Sequence, residues 1–160
     1  YSNQLRRITI IGNVVIAFLT GLTLLMVCIY LARNEVLVYI YASFAMAITL
    51  IREVLKDMED VKGDSKFGIE SLPVIFGIRG AKAFIYLAIG ISGAFLISFL
   101  ITIDIWLVRY YFVGLLPIFL WFIYKLIYAD RQKDYQRLIR FTNFIILSGL
   151  ISMILLKSWT

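Results

Sequence analysis

The sequence predicts an all-α, polytopic transmembrane helix bundle of about five spans, and three observations carry that expectation. Hydrophobic residues make up 62% of the 160 residues, with a mean hydropathy of +0.91, whereas a soluble domain is closer to half apolar. They come in long blocks, and a bilayer core of ~30 Å needs ~20 helical residues to cross it. The basic residues gather at alternate ends of those blocks.

The first span is expected over 8–31, a block without a charged residue. The second is expected over 36–55. Its apolar run stops at Ile51, so it must continue through Arg52 and Glu53 to reach across. The third occupies 83–103, again without charge, and the fourth 105–127, interrupted by Arg109. The fifth occupies 138–156. The connections at 32–35 and 102–105 are short enough to make hairpins, so consecutive helices run antiparallel. All five belong to one domain over 1–160.

Other classes are excluded by what is missing. The chain has no histidine, so imidazole metal ligation and histidine acid/base catalysis are unavailable. The single cysteine, Cys28, lies in an apolar block and cannot form an intrachain disulfide. If every block spans, 13 of the 16 basic residues fall on one face, and only Arg33, Arg109 and Lys157 on the other. That bias places the N-terminus, 52–82 and 125–140 in the cytoplasm. The net charge of +6 then reads as a topology signal with affinity for anionic head groups. No basic element stands free of the membrane to bind nucleic acid.

Most of the acids lie after the second block, where 52–64 reads Arg-Glu-Val-Leu-Lys-Asp-Met-Glu-Asp-Val-Lys-Gly-Asp. At 100° per residue, Glu53, Asp57, Asp60 and Asp64 fall within an arc of about 60°. Gly63 is a candidate end for that helix, just before Asp64. Like charges at helical spacing repel, and the cost grows toward the membrane. Carboxylates without His or Cys suit a hard cation such as Mg²⁺, which bridges to phosphate. Lys56, Lys62 and Lys66 would neutralise phosphate oxygens. The opposing reading is a solvated juxtamembrane helix whose acids and bases pair with each other. Composition alone does not choose between them.

The motif goes further. Lys56-Asp57-Met58-Glu59-Asp60-Val61-Lys62-Gly63-Asp64, followed by Gly68-Ile69-Glu70-Ser71-Leu72-Pro73-Val74 and Gly77, resembles the second aspartate-rich motif of the UbiA superfamily of intramembrane prenyltransferases. Ile11-Gly12-Asn13-Val14-Val15 is similar to the opening of that family's fifth helix. The resemblance implies a nine-helix bundle that moves an isoprenyl group from a prenyl diphosphate to an acceptor. Asp57, Asp60 and Asp64 would hold Mg²⁺ on the diphosphate, with Lys56, Arg52 and Lys66 as diphosphate-binding candidates. No side chain is assigned a catalytic role of its own. Within the superfamily the motif is most similar to the digeranylgeranylglyceryl phosphate synthase group, which implies a geranylgeranyl donor and a geranylgeranylglyceryl phosphate-type lipid acceptor. Homogentisate-type enzymes, with aromatic acceptors, share Phe67-Gly68-Ile69. The first aspartate motif of the family is not among these 160 residues. The chain is therefore expected to match helices five to nine, to need the N-terminal half as partner, and to be inactive alone.

Individual residues carry competing readings. Arg52 either pairs with Glu53 or contacts diphosphate, and Lys56 either binds phosphate or snorkels. Asn13 makes an interhelical hydrogen bond or touches substrate. Gly12, Gly21, Gly90, Gly93 and Gly149 suit close helix packing, and Trp106, Tyr110, Tyr111, Trp121 and Trp159 suit an interfacial belt. Asp104 and Arg109 read as interfacial charges at the far face. The rival class is a helical transporter or assembly subunit. Transporters place their ionisable groups near the midplane, where this chain has almost none.

Overall fold

A computed structural model of the chain describes residues 9–30, 36–102 and 106–157. Among the described residues the fold is all-α, with five helices: α1 Thr9–Tyr30, α2 Val36–Phe67, α3 Leu72–Thr102, α4 Trp106–Ile127 and α5 Gln132–Lys157. Two stretches, Val38–Phe67 and Leu72–Ser98, are long and apolar enough to cross a membrane, with shorter apolar helices at Ile10–Met26 and Val113–Ile127. The basic pair Arg6 and Arg7, the connection at 32–35 with Arg33, most of that at 102–105 with Asp104, and Trp159 lie outside the described residues. So do the side chains of Cys28, Trp106, Arg109 and Tyr111.

The bundle is organised around α2, which packs on α1, α3 and α5, while α4 rests more lightly on α3 and α5. Two buried clusters fill its two halves. One gathers Ile51, Leu55 and Met58 of α2 with Leu72, Ile85, Phe122, Leu126 and Leu138. The other joins Ile40, Tyr41, Phe44 and Ile48 to Leu115 and Ile145. Elsewhere large apolar side chains face outward, among them Phe18, Leu19, Met26, Leu87 and Phe144. A folded soluble protein would not leave such a surface to water.

Two expectations about helix ends are corrected. Gly63 does not stop α2, which runs straight through it to Phe67. The stop is Gly68, whose φ of 65° is a left-handed conformation that costs L side chains energy. The Ile69 N–H then reaches back to the Asp64 carbonyl at 2.9 Å, the six-to-one bond of a Schellman cap. The segment 56–80, which lies between the second and third expected spans, is thus mostly helix, because α3 starts only four residues later at Leu72. It bends at Gly77, at φ 72° and ψ 169°. At α5 the Arg131 N–H donates to Asp134 Oδ2 at 3.2 Å, half of a capping box, so the helix begins several residues before its apolar run.

The packing role expected of the glycines holds for one of the four whose surroundings are described. A Cβ on Gly21 would sit 3.4 Å from the Ala42 carbonyl and from Met46 Cβ, so α1 and α2 meet closely there. Gly12, Gly90 and Gly93 have nothing within 4 Å.

Candidate functional site

The acidic stretch lies on the last three turns of α2, where α1 and α5 flank it. Helix periodicity brings Asp57 under the start of α1, and there the Asn13 amide donates to Asp57 Oδ2 at 2.6 Å. Both side chains are buried, Asn13 at 4% and Asp57 at 8% exposure. Of the two readings of Asn13, the interhelical hydrogen bond is the one observed. Asp57 lies beyond the span expected over 36–55. Its pKa is raised to about 6, chiefly by burial. The Asn13 bond works against that rise, Asp64 and Glu53 add repulsion, and Lys56 offsets part of it.

The three motif aspartates are not equivalent. Asp57 is buried, Asp64 is half-buried on the next two turns, and Asp60 faces outward. Asp64 is close enough to Asp57 to disfavour its charge. Among the described residues no three Asp, Glu or Cys side chains converge on one point where a metal ion would fit. The stripe is therefore an open carboxylate edge and not a closed cage.

Glu53 is a residue that sequence reasoning left in the stripe, and it turns out to organise the neighbouring cations. Its buried carboxylate accepts from Arg52 Nη2 at 2.7 Å and Arg52 Nε at 3.1 Å. Its other oxygen meets Lys56 Nζ at 3.3 Å. Arg52 also reaches Asn143 on α5 at 3.4 Å, and two turns further along α2 Gln136 donates to Glu59 at 2.7 Å. These two bonds pin α5 to α2 beside the acids. Nothing in the sequence marks Gln136 or Asn143, because a polar side chain on one helix does not announce its partner on another. Lys66 is exposed at the end of α2, with no ion pair among the described residues.

Toward the other end of the same helices, about 18 Å along α2 from Asp57 at 1.5 Å per residue, an apolar groove between α1 and α5 holds a cavity of about 270 Å³. Thr20 and Leu24 of α1, Tyr41 and Ala45 of α2, and Ile146 and Leu150 of α5 line it. Its hydroxyls are already engaged: Thr20 with the Ile16 carbonyl at 2.9 Å and Tyr41 with Ser152 at 2.9 Å. The same three helices therefore carry a polar, multiply charged mouth and a lipophilic interior. This arrangement suits a molecule with an anionic head and a long hydrocarbon tail.

Comparison with known proteins agrees with this chemistry. The UbiA prenyltransferase family matches residues 1–148. The digeranylgeranylglyceryl phosphate synthase of Methanosphaera stadtmanae is 38% identical over 81 residues, 51% of this chain and 29% of that protein. The synthase of the same name from Methanothrix thermoacetophila is 32% identical over 105 residues, 66% of this chain and 38% of that protein. That of Methanothermobacter thermautotrophicus is 33% identical over 117 residues, 72% of this chain and 37% of that protein. The matched segments thus span between about a quarter and two fifths of these relatives. No solved structure matches.

Proposed function

Because the chain belongs to the UbiA prenyltransferase family, we propose that it forms one half of a multi-pass membrane enzyme that moves a geranylgeranyl group from its diphosphate to a geranylgeranylglyceryl phosphate-type lipid. The observation that carries this reading is that α1, α2 and α5 together place carboxylates and cations toward one end and an apolar cavity toward the other. The kinship with digeranylgeranylglyceryl phosphate synthases favours the lipid phosphate acceptor over an aromatic one.

Asp57, Asp60 and Asp64 would hold Mg²⁺ against the diphosphate. The donor set fits that ion, since Mg²⁺ normally takes one or two protein carboxylates and completes its shell with water and phosphate oxygens. An open edge meets that requirement better than a three-carboxylate cage would. When bound, Mg²⁺ stabilises the charge that gathers on departing pyrophosphate. The chain's own residues do the rest. Lys66 and, after release from Glu53, Arg52 and Lys56 would grip phosphate oxygens. The apolar groove would hold the tail, and once closed by the other half of the enzyme it would keep water from the allylic carbon as its C–O bond breaks, with the electron pair leaving on pyrophosphate. The acceptor hydroxyl oxygen then bonds to that carbon, and its proton passes to the departing pyrophosphate.

The test is Mn²⁺ binding, as a spectroscopic substitute for Mg²⁺, followed with and without a non-hydrolysable geranylgeranyl diphosphate analogue. Binding is expected to tighten at least about tenfold with the analogue, in keeping with an ion that needs phosphate ligands. Unchanged affinity in the Asp57, Asp60 and Asp64 triple Asn variant would remove the assignment. Incubation of the complete enzyme with labelled donor and either a glyceryl ether phosphate or an aromatic acid then decides the acceptor.

A further inference from the structure

The outer face of α5 carries a stripe that the groove does not use. Lys133, Arg137, Arg140, Phe144, Leu147 and Ile151 recur at intervals of four, three, four, three and four residues, so they share one side of the helix. Opposite them lie Tyr135, Leu138, Thr142 and Ile145, which are buried against the bundle. All six members of the stripe are exposed, Phe144 at 67% and Leu147 at 55%. Its first two turns are cationic and the remainder apolar, and the change falls where α5 is expected to enter the bilayer.

Only some of the cations on the same side of the protein are paired with acids. Arg52 and Lys56 are paired with Glu53, and Lys82 with Asp130 at 3.4 Å. Lys133, Arg137 and Arg140 have no carboxylate partner among the described residues. The acids nearest in sequence are turned elsewhere, Asp130 to Lys82 and Asp134 to the Arg131 N–H. Three unpaired cations within about 10 Å of helix length leave a concentrated positive field on an interface. Directly above them runs an apolar track with room for a hydrocarbon chain.

We propose that this stripe is a binding site for an anionic phospholipid of the surrounding bilayer. Its phosphate is held by Lys133, Arg137 and Arg140, and one of its chains lies along Phe144, Leu147 and Ile151. Arg is suited to phosphate through its two-pronged donors and Lys through its point charge. The site lies on α5 residues that do not line the groove, whose α5 wall is Ile146, Gly149 and Leu150, and it does not depend on the prenyl-transfer reading. The lipid would brace α5 against α2 from outside, at the level where Arg52–Asn143 and Glu59–Gln136 brace it from inside.

Native mass spectrometry of the protein released from nanodiscs tests the head-group half. Discs holding equal phosphatidylglycerol and phosphatidylcholine are expected to yield phosphatidylglycerol adducts preferentially. The K133Q/R137Q/R140Q variant should lose them at least about tenfold, since each basic residue contributes severalfold to anionic-lipid attraction. A charge-keeping K133R/R137K/R140K variant should retain them, which separates loss of binding from loss of folding. Equal retention of the two lipids, or no loss in the Gln variant, overturns the proposal. A photo-reactive benzoylphenylalanine in place of Phe144 tests the apolar half. Cross-linking to lipid is expected, and cross-linking to a protein segment would mean that the face is covered by protein instead.

Discussion

At the scale of single residues the decisive pair is Asn13 and Asp57. A carboxylate at 8% exposure is costly unless hydrogen-bonded, and Asn13 supplies a bond to Oδ2, while Oδ1 has no hydrogen-bond partner among the described residues. Asn13→Ala is expected to cost ~1–3 kcal/mol, the penalty for stranding a buried polar group. It should also weaken diphosphate-dependent Mn²⁺ binding, because the ligand loses its orientation. Thermal unfolding in detergent and Mn²⁺ titration check the two effects separately. The raised pKa of Asp57 sets a pH dependence. Its folded value of about 6 lies above the ordinary aspartate value of 3.8, so between them the native state holds the proton more tightly than the unfolded chain does. Stability from this group therefore increases as pH falls through about 6 and is lost as pH rises. Metal binding runs the other way, since the ligand must be deprotonated. Asp57→Asn should flatten the stability profile between pH 4 and 7, and an unaltered profile would assign the titration elsewhere.

At the scale of elements, α2 shows how a sequence offers two glycines for one job. Gly63 and Gly68 both follow amphipathic runs, and either suits a helix end by composition. Geometry separates them. Gly63 is inside the helix with nothing within 4 Å of a modest side chain, whereas Gly68 has φ +65°. Gly63→Ala is expected to stabilise the protein by ~0.5–1 kcal/mol, the helix preference of Ala over Gly. Gly68→Ala should destabilise it by ~1–2 kcal/mol, the cost of a left-handed L-residue. Denaturation midpoints of the two variants, measured side by side, would show shifts of opposite sign. The consequence for the site is direct. Because α2 continues past Gly63, Asp64 stays on the helix that holds Asp57 and remains near enough to act on it.

At the scale of the whole molecule, the groove between α1 and α5 is flanked on two sides only, and helix faces bearing Ile11, Val14, Phe18 and Leu19 are exposed beside it. A carbocation made there would meet lipid or water, and the orientation that accounts for many kcal/mol of rate would be lacking. The 160 residues alone are therefore expected to insert and bind diphosphate weakly without turnover. Co-expression with the N-terminal half of the enzyme should restore product, as separately inserted helices can associate. Robust turnover by the isolated chain would contradict this. The charge bias further predicts that a cysteine at Lys66 is protected from external reagent in sealed cells, on a Cys28→Ser background, and reacts once the membrane is opened. Labelling of intact cells would reverse the orientation.

The sequence by itself determined the helical class, the approximate helix positions and the acidic stretch, because each depends on local composition and period. Apolar blocks of membrane length have one stable backbone solution, and Asp57, Asp60 and Asp64 announce themselves by spacing. Only the tertiary structure decided which of them is buried, and that Glu53 pairs with both Arg52 and Lys56. It alone showed that Asn13, 44 residues distant in sequence, holds Asp57. The end of α2 likewise needed three dimensions, since the φ of Gly68 is set by the cap that Ile69 closes with Asp64. Burial and partnership are properties of neighbouring helices, and those neighbours are chosen by packing across the bundle. Periodicity along one helix reports which residues share a face, and it is silent on what that face meets.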